Sequence, residues 1–240
     1  MSGHSKWSKV KHQKEATDAT KGKVFTKMAS AIIIAVKEGG GITDPAGNFR
    51  LRLAIEKARA ANMPKDNIER AIEKGAGKGE GINLQKVVYE AFGPGKIGII
   101  IEATTDNHQR TTAEVKNILD RGGGILTAQG AVSYLFKYMG VIEVAKGNRI
   151  FDEVMEVVIE AGGEDLKEDG DKYSIYTVAG ALHRVKENLE KKGYIISHAD
   201  LVYTPIMRVK VGEEERERVN KLLESLENAD DVLNLYSNLE

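Results

Sequence analysis

Apolar positions recur at three- and four-residue spacing from Thr17 onward, at Val24, Phe25, Met28, Ala29, Ile32 and Val36. That is the period of a helix with one buried face. Lys23 and Lys27 lie four apart on a neighbouring face, and Gly39-Gly40-Gly41 ends the helix, since glycine reaches positive φ freely and offers nothing to pack. Asp44-Pro45 reads as the cap and first-turn proline of a second helix over 46–61, with Leu51, Ile55 and Ala58 inward and Arg52, Glu56 and Arg59 outward. Met63-Pro64-Lys65-Asp66 breaks it, and Ile68, Ala71 and Ile72 mark a shorter third helix. Residues 17–75 therefore read as a small helical domain. The Ser/Lys/His-rich residues 1–16 have almost nothing to bury and read as a basic arm that orders only on a partner. Residues 76–81, glycine-rich, read as a linker.

Beyond the linker the period changes from helical to extended. Val87–Phe92 and Ile97–Ala103 are strand-like and are joined by the turn Gly93-Pro94-Gly95. Asn107 caps a helix over 107–120, Gly122-Gly123-Gly124 stops it, and Val132–Phe136 is the next expected strand. Residues 138–202 then alternate as strand, helix, strand, strand, helix, strand, the ferredoxin-like plan. A last strand–helix–strand is expected from Ile206–Val211, Glu213–Leu226 and Val232–Tyr236. The fold class expected is α+β with three domains: the helical domain, a discontinuous ferredoxin-like domain of 82–136 plus 204–240, and a second ferredoxin-like domain, 138–202, inserted into it.

Composition narrows the function. The 240 residues are 41% hydrophobic and 30% charged, with no cysteine, a globular composition that removes disulfides, thiolate metal sites and cysteine nucleophiles. The longest apolar run, Ala31–Val36, is six residues, far below the roughly 20 that span a bilayer. The amino terminus has no apolar stretch of the signal-peptide kind, so a cytoplasmic protein with no membrane partner is expected. The net charge of −1 conceals an asymmetry: residues 1–80 carry 16 Lys/Arg against 9 Asp/Glu, whereas 81–240 carry 19 against 27. A basic amino-terminal third of this kind fits a polyanion, because binding phosphate releases counterions.

The chemistry-bearing residues point the same way. His4, His12, His108, His183 and His198 share no metal-ligand spacing, and the acidic group Asp165, Glu168, Asp169 and Asp171 misses the calcium-loop positions and reads as a solvated turn. Neither Gly75-Ala76-Gly77 nor Gly93-Pro94-Gly95 follows a nucleotide-binding pattern. No cofactor, metal or catalytic residue is expected. The candidate nucleic-acid contacts are Lys6, Trp7, Lys9, Lys11, His12, Lys14, Lys21, Lys23 and Lys27, continued by Arg50, Arg52, Lys57, Arg59, Lys65 and Arg70. Lysines meet phosphates and an exposed aromatic can stack on an unpaired base; Trp7 serves equally well as an anchor for the arm, and Arg52–Glu56 and Lys65–Glu69 are spaced to pair within their own helices. No segment reads as a base-reading helix-turn-helix, which favours backbone and shape recognition.

Several motifs, Gly3-His4-Ser5-Lys6-Trp7, Asn62-Met63-Pro64-Lys65-Asp66-Asn67-Ile68, Glu90-Ala91-Phe92-Gly93-Pro94, Thr104-Thr105-Asp106-Asn107, Gly130-Ala131-Val132-Ser133-Tyr134 and Asp230-Asp231-Val232-Leu233-Asn234, closely resemble those of the YebC/PmpR family over essentially the whole chain. The departures are Met28–Val36, less charged than in many relatives, and His108-Gln109, where many are more basic. The resemblance implies a helical domain and two α/β domains, one interrupting the other. It also implies one of two roles: DNA-binding transcriptional regulation, or translational activation on ribosomes, including those stalled on proline-rich sequences. Three functions follow: a ribosome-associated factor contacting ribosomal RNA, which the charge pattern favours; a regulator binding duplex DNA; and a small-ligand sensor or enzyme using Glu102, Asp106 and Glu114. The acidic carboxy-terminal portion additionally suits a protein partner, and the oligomeric state is open.

Overall fold

The computed structural model describes residues 18–78 and 84–240. The expected basic arm and the last residues of the expected linker lie outside them.

Helix α1 spans Asp18–Glu38, α2 Phe49–Ala60 and α3 Lys65–Gly75. Their shared core gathers Ile32, Ile33 and Val36 of α1, Leu51, Ile55 and Ala58 of α2, and Ile68 and Ala71 of α3. Helix α2 begins three residues later than the sequence suggested, because its cap is Asn48 and not Asp44. The Asn48 side-chain oxygen accepts from the Leu51 N–H at 3.1 Å, while its amide donates to the Ala35 and Ile42 carbonyls at 2.9 and 3.1 Å. One buried amide thus joins the end of α1, the following turn and the start of α2. Asp44 instead accepts from the Ala46 N–H at 2.9 Å and shapes the turn before it.

Gly75 is the buried last residue of α3, and an added Cβ would sit 2.7 Å from the Val36 Cβ and 3.0 Å from the Ile33 carbonyl oxygen. Glycine there lets α1 and α3 approach backbone to side chain.

The first sheet contains β1 (Gln85–Phe92), β2 (Gly98–Thr105), β3 (Ile125–Thr127) and β8 (Val232–Ser237), all antiparallel in the order β3-β1-β2-β8. Helices α4 (His108–Arg121) and α7 (Glu213–Glu227) supply Val115, Leu119, Val219, Leu222 and Leu226 to a core with Ile99, Ile101 and Ala103 of β2. The close approach requires Gly122, where an added Cβ would lie 2.6 Å from a Leu222 methyl. Alternation along β2 turns Ile100, Glu102 and Thr104 to the opposite face. They too are buried, and α1 contacts β2 and β8.

Two strands differ from the sequence reading. The partner of β1 is Ile125–Thr127, whereas 133–135 form a short helical turn and Phe136 opens a strand of the other sheet. Ile206–Val211 contributes only a single parallel bridge, Val209 to Leu239. The layout is the ferredoxin-like one with a rearranged chain: the place normally filled by the third strand is taken by β1, which precedes the unit.

The second sheet, β4 (Phe136–Ala145), β5 (Asp165–Asp169), β6 (Lys172–Val178) and β7 (Ile196–Pro205), has the antiparallel order β5-β6-β4-β7. With α5 (Phe151–Ala161) after β4 and α6 (Leu182–Lys191) after β6, it is an uninterrupted ferredoxin-like unit. Residues 136–207 cluster as one compact unit, while the helical domain belongs with the first sheet and residues 208–240.

Glu90 of β1 anchors the segment leading out of the first sheet. Its carboxylate accepts from the Gly130, Val132 and Ser133 backbone N–H groups at 2.8, 2.5 and 2.8 Å. Burial raises the Glu90 pKa, but these hydrogen bonds outweigh it and hold the group below its ordinary value. The clamp is therefore complete above the normal carboxylate range and is lost as pH falls through the lowered folded value. Glu90→Gln is expected to cost about 1–3 kcal/mol at neutral pH, and its deficit relative to wild type should narrow in urea titrations as pH is lowered below the ordinary carboxylate range. Gly75→Ala should lower stability by about 1–3 kcal/mol through overpacking against Val36, checked by chemical denaturation.

Candidate nucleic-acid interface

The candidate basic residues divide sharply once placed. Lys6, Trp7, Lys9, Lys11, His12 and Lys14 lie outside the described residues. On α1, Lys21 is exposed, and Lys23, also exposed, lies 3.2 Å from Asp230 in the turn before β8. Lys27, one turn further, is buried. Its ammonium donates to the Glu227 carbonyl at 2.6 Å, at the carboxy-terminal end of α7, where the helix dipole favours a cation. Desolvation pushes the Lys27 pKa below the ordinary lysine value, against the attraction of Glu227 and Asp230. Lys27 is thus a tie between the helical domain and the first sheet's layer, and it offers no exposed charge to a ligand.

Helices α2 and α3 present the remaining six. Arg52 and Arg59 are seven apart and so share a face, as do Arg50 and Lys57. Arg52 is held by its own domain: Nε donates to the Pro45 carbonyl at 3.1 Å, a terminal nitrogen donates to the Ala46 carbonyl at 3.3 Å, and the guanidinium stands 5.9 Å from the Phe49 ring. Arg50 pairs with Glu38. Arg59 is exposed and has no ion-pair partner among the described residues. On α3, Lys65 pairs with Glu69 at 3.3 Å, and Arg70 donates to the Asp66 carbonyl at 3.2 Å and to the Asn67 side chain; both are exposed. The pairing foreseen between Arg52 and Glu56 is replaced by backbone contacts.

The joint between these helices explains a motif. Asn62 adopts a left-handed φ of 59°, which asparagine tolerates. Met63 is buried in the helical core, and Pro64 with φ −58° leads into α3. Asn62-Met63-Pro64 therefore forms the corner between the two helices that carry these basic residues.

Other chemistry-bearing groups are engaged in structure. Glu102 is buried, 2.6 Å from the Lys86 ammonium, and accepts from the Asn234 amide at 2.8 Å and the Tyr236 hydroxyl at 3.3 Å. Asp106 is 2.9 Å from Arg110, and Glu114 is exposed on α4. A network that periodicity did not reveal lies beside them. The Thr111 hydroxyl reaches Thr105 at 2.7 Å and Asp231 at 2.5 Å, Arg110 reaches Asp231 at 3.1 Å, and Asn107 caps α4 through the Arg110 N–H at 3.1 Å. It binds the end of β2, the start of α4 and the turn before β8; only the nearness of these residues in the fold could disclose it. Among the described residues no group of three or more His, Cys, Asp or Glu is arranged to hold a metal, and no helix is long and apolar enough to cross a membrane.

Known proteins match this chain throughout. The model for the TACO1/YebC protein N-terminal domain covers residues 5–78, and that for the TACO1/YebC second and third domain covers 84–239. A protein named "Probable transcriptional regulatory protein" from Caldanaerobacter subterraneus is 47% identical over 241 residues, covering 100% of this chain and 98% of its own length. A relative of the same name from Persephonella marina is 48% identical over 242 residues, covering 100% and 96%. The crystal structure of a conserved hypothetical protein from Aquifex aeolicus superposes with a TM-score of 0.85 at 46% identity, covering 98% of this chain and 97% of the other. With both family models and full-length relatives in agreement with the helical domain and the two sheet units, the chain belongs to the TACO1/YebC family.

Proposed function

We propose that this protein is a non-enzymatic nucleic-acid-binding regulator that contacts a phosphate backbone through its basic amino-terminal segment, and that its target is ribosomal RNA. The observation that carries the reading is the display of Arg59, Lys65 and Arg70 on the exposed surfaces of two helices joined at that corner, inside the part of the chain where bases outnumber acids 16 to 9. Glu56, Glu69 and Glu73 are exposed on the same helices. Carboxylates interleaved in this way suit contact along a folded backbone better than insertion into a major groove, where base edges and flanking phosphates crowd the helix. Arg52 and Arg70, braced on their own backbone carbonyls, are oriented in advance for phosphate. Lys27 is left out of the contact set.

Duplex DNA is the second reading, supported by the name that relatives carry, "Probable transcriptional regulatory protein". Competition between ribosomes and duplex DNA at matched physiological salt separates the two. A ribosome preference abolished by joint replacement of Lys6, Lys9, Lys11 and Lys14 with Gln is the expected result. Sequence-selective duplex binding with no ribosome preference would put transcription in its place. Single Ala replacements of Arg59, Lys65 or Arg70 should weaken binding evenly across sequences and reduce the salt slope by about one each. Lys27→Gln should leave that slope unchanged.

A further inference from the structure

One end of the 136–207 unit carries a feature that nucleic-acid binding does not use. The Arg149 guanidinium lies over the Tyr194 ring, 4.7 Å from its centre, a cation–π contact that restrains the arginine. Its backbone is fixed as well, because the Tyr173 hydroxyl donates to the Arg149 carbonyl at 3.0 Å and Tyr173 is itself fully buried, edge-on to Phe151. Arg149 has no carboxylate partner among the described residues; besides the ring contact, its side chain donates one long hydrogen bond, 3.4 Å, to the Ala145 carbonyl. The next residue after each member of this pair is an exposed isoleucine. Ile150 is 61% exposed, and Ile195, at 81%, is the most exposed large hydrophobic side chain among the described residues.

We propose that this end of the unit is a protein-docking surface whose partner presents a side-chain carboxylate, flanked by apolar side chains, to Arg149 between Ile150 and Ile195. An arginine held on a tyrosine, with an exposed isoleucine next to each in sequence, has the composition of an interface anchor, and prior immobilisation removes part of the ordering cost of binding. The carboxylate complements the Arg149 guanidinium, which has no carboxylate partner among the described residues. A nucleic acid fits poorly: residues 136–207 carry 13 acids against 9 bases, and the exposed Asp152 and Glu153 directly follow the patch in α5, so an extended run of phosphates meets like charge beside Arg149, whereas a single carboxylate needs only the guanidinium.

The test places a photoreactive residue at the exposed position Asn148 of the full-length chain, with the same residue at Lys221 as control, and irradiates intact cells. The expected adduct joins Asn148 to a protein segment in which mass spectrometry locates an Asp or Glu beside apolar residues. Its yield should fall about tenfold or more with Arg149→Glu and also drop with Ile195→Ser, while the thermal midpoints of both variants match that of wild type. Four results would overturn the proposal: an adduct on nucleic acid, an adduct on a second copy of this chain, no adduct above the Lys221 control, or an adduct indifferent to both substitutions.

Discussion

Helix α1 is apolar all the way round over one stretch, and the amino-terminal half of the molecule is arranged to satisfy it. Residues 32–36 are buried without a break, more than one full turn, so no face of that turn meets water. Such a helix cannot lie on a surface; it needs cover from two sides. Helices α2 and α3 supply one side through Leu51, Ile55, Ala58 and Ile68, and α1 meets β2 and β8 as well. The low charge of Met28–Val36, a departure in a family resemblance, is the physical requirement of a helix packed between layers.

The same constraint sorts the basic residues. A lysine on α1 near that sandwich loses its water, and Lys27 is stabilised only by the carbonyl at the end of α7 and the acidic neighbours Glu227 and Asp230. Lysines and arginines on the outer surfaces of α2 and α3 keep theirs. Burial therefore separates charges that tie the domains together from charges available to a ligand, although both arise from one basic stretch of sequence.

Much of this architecture is legible in the amino-acid pattern alone. Helical spacing locates α1 and α3, the Asn107 cap locates α4, and the strand–helix alternation of 138–202 yields the ferredoxin-like unit with small shifts at the ends. The misplaced features share a cause: each is decided by contacts remote in sequence. Asn48 outcompetes Asp44 as a cap because its amide also reaches Ala35 and Ile42. Ile125–Thr127 is a strand because β1 offers it an edge, and Glu90 withdraws 130–133 from extended pairing by collecting their N–H groups. Of the candidate interface, charge and exposure on α2 and α3 could be read from the helical period. The burial of Lys27 could not, since its partner is 200 residues away.

The rearranged first sheet dictates an order of assembly. Strands β1, β2 and β3 and helix α4 leave the ribosome well before α7 and β8, with Ile99, Ile101 and Leu119 still lacking part of their cover. Val219, Leu222, Leu226 and Val232 all lie in the last quarter of the chain. Between the two stretches, residues 136–207 form a complete unit of contiguous sequence, able to fold as soon as it emerges. Synthesis thus produces a finished middle before a finished beginning. The nascent chain carries an open apolar sheet for the whole time needed to make that middle, so vectorial folding here runs from the centre outward.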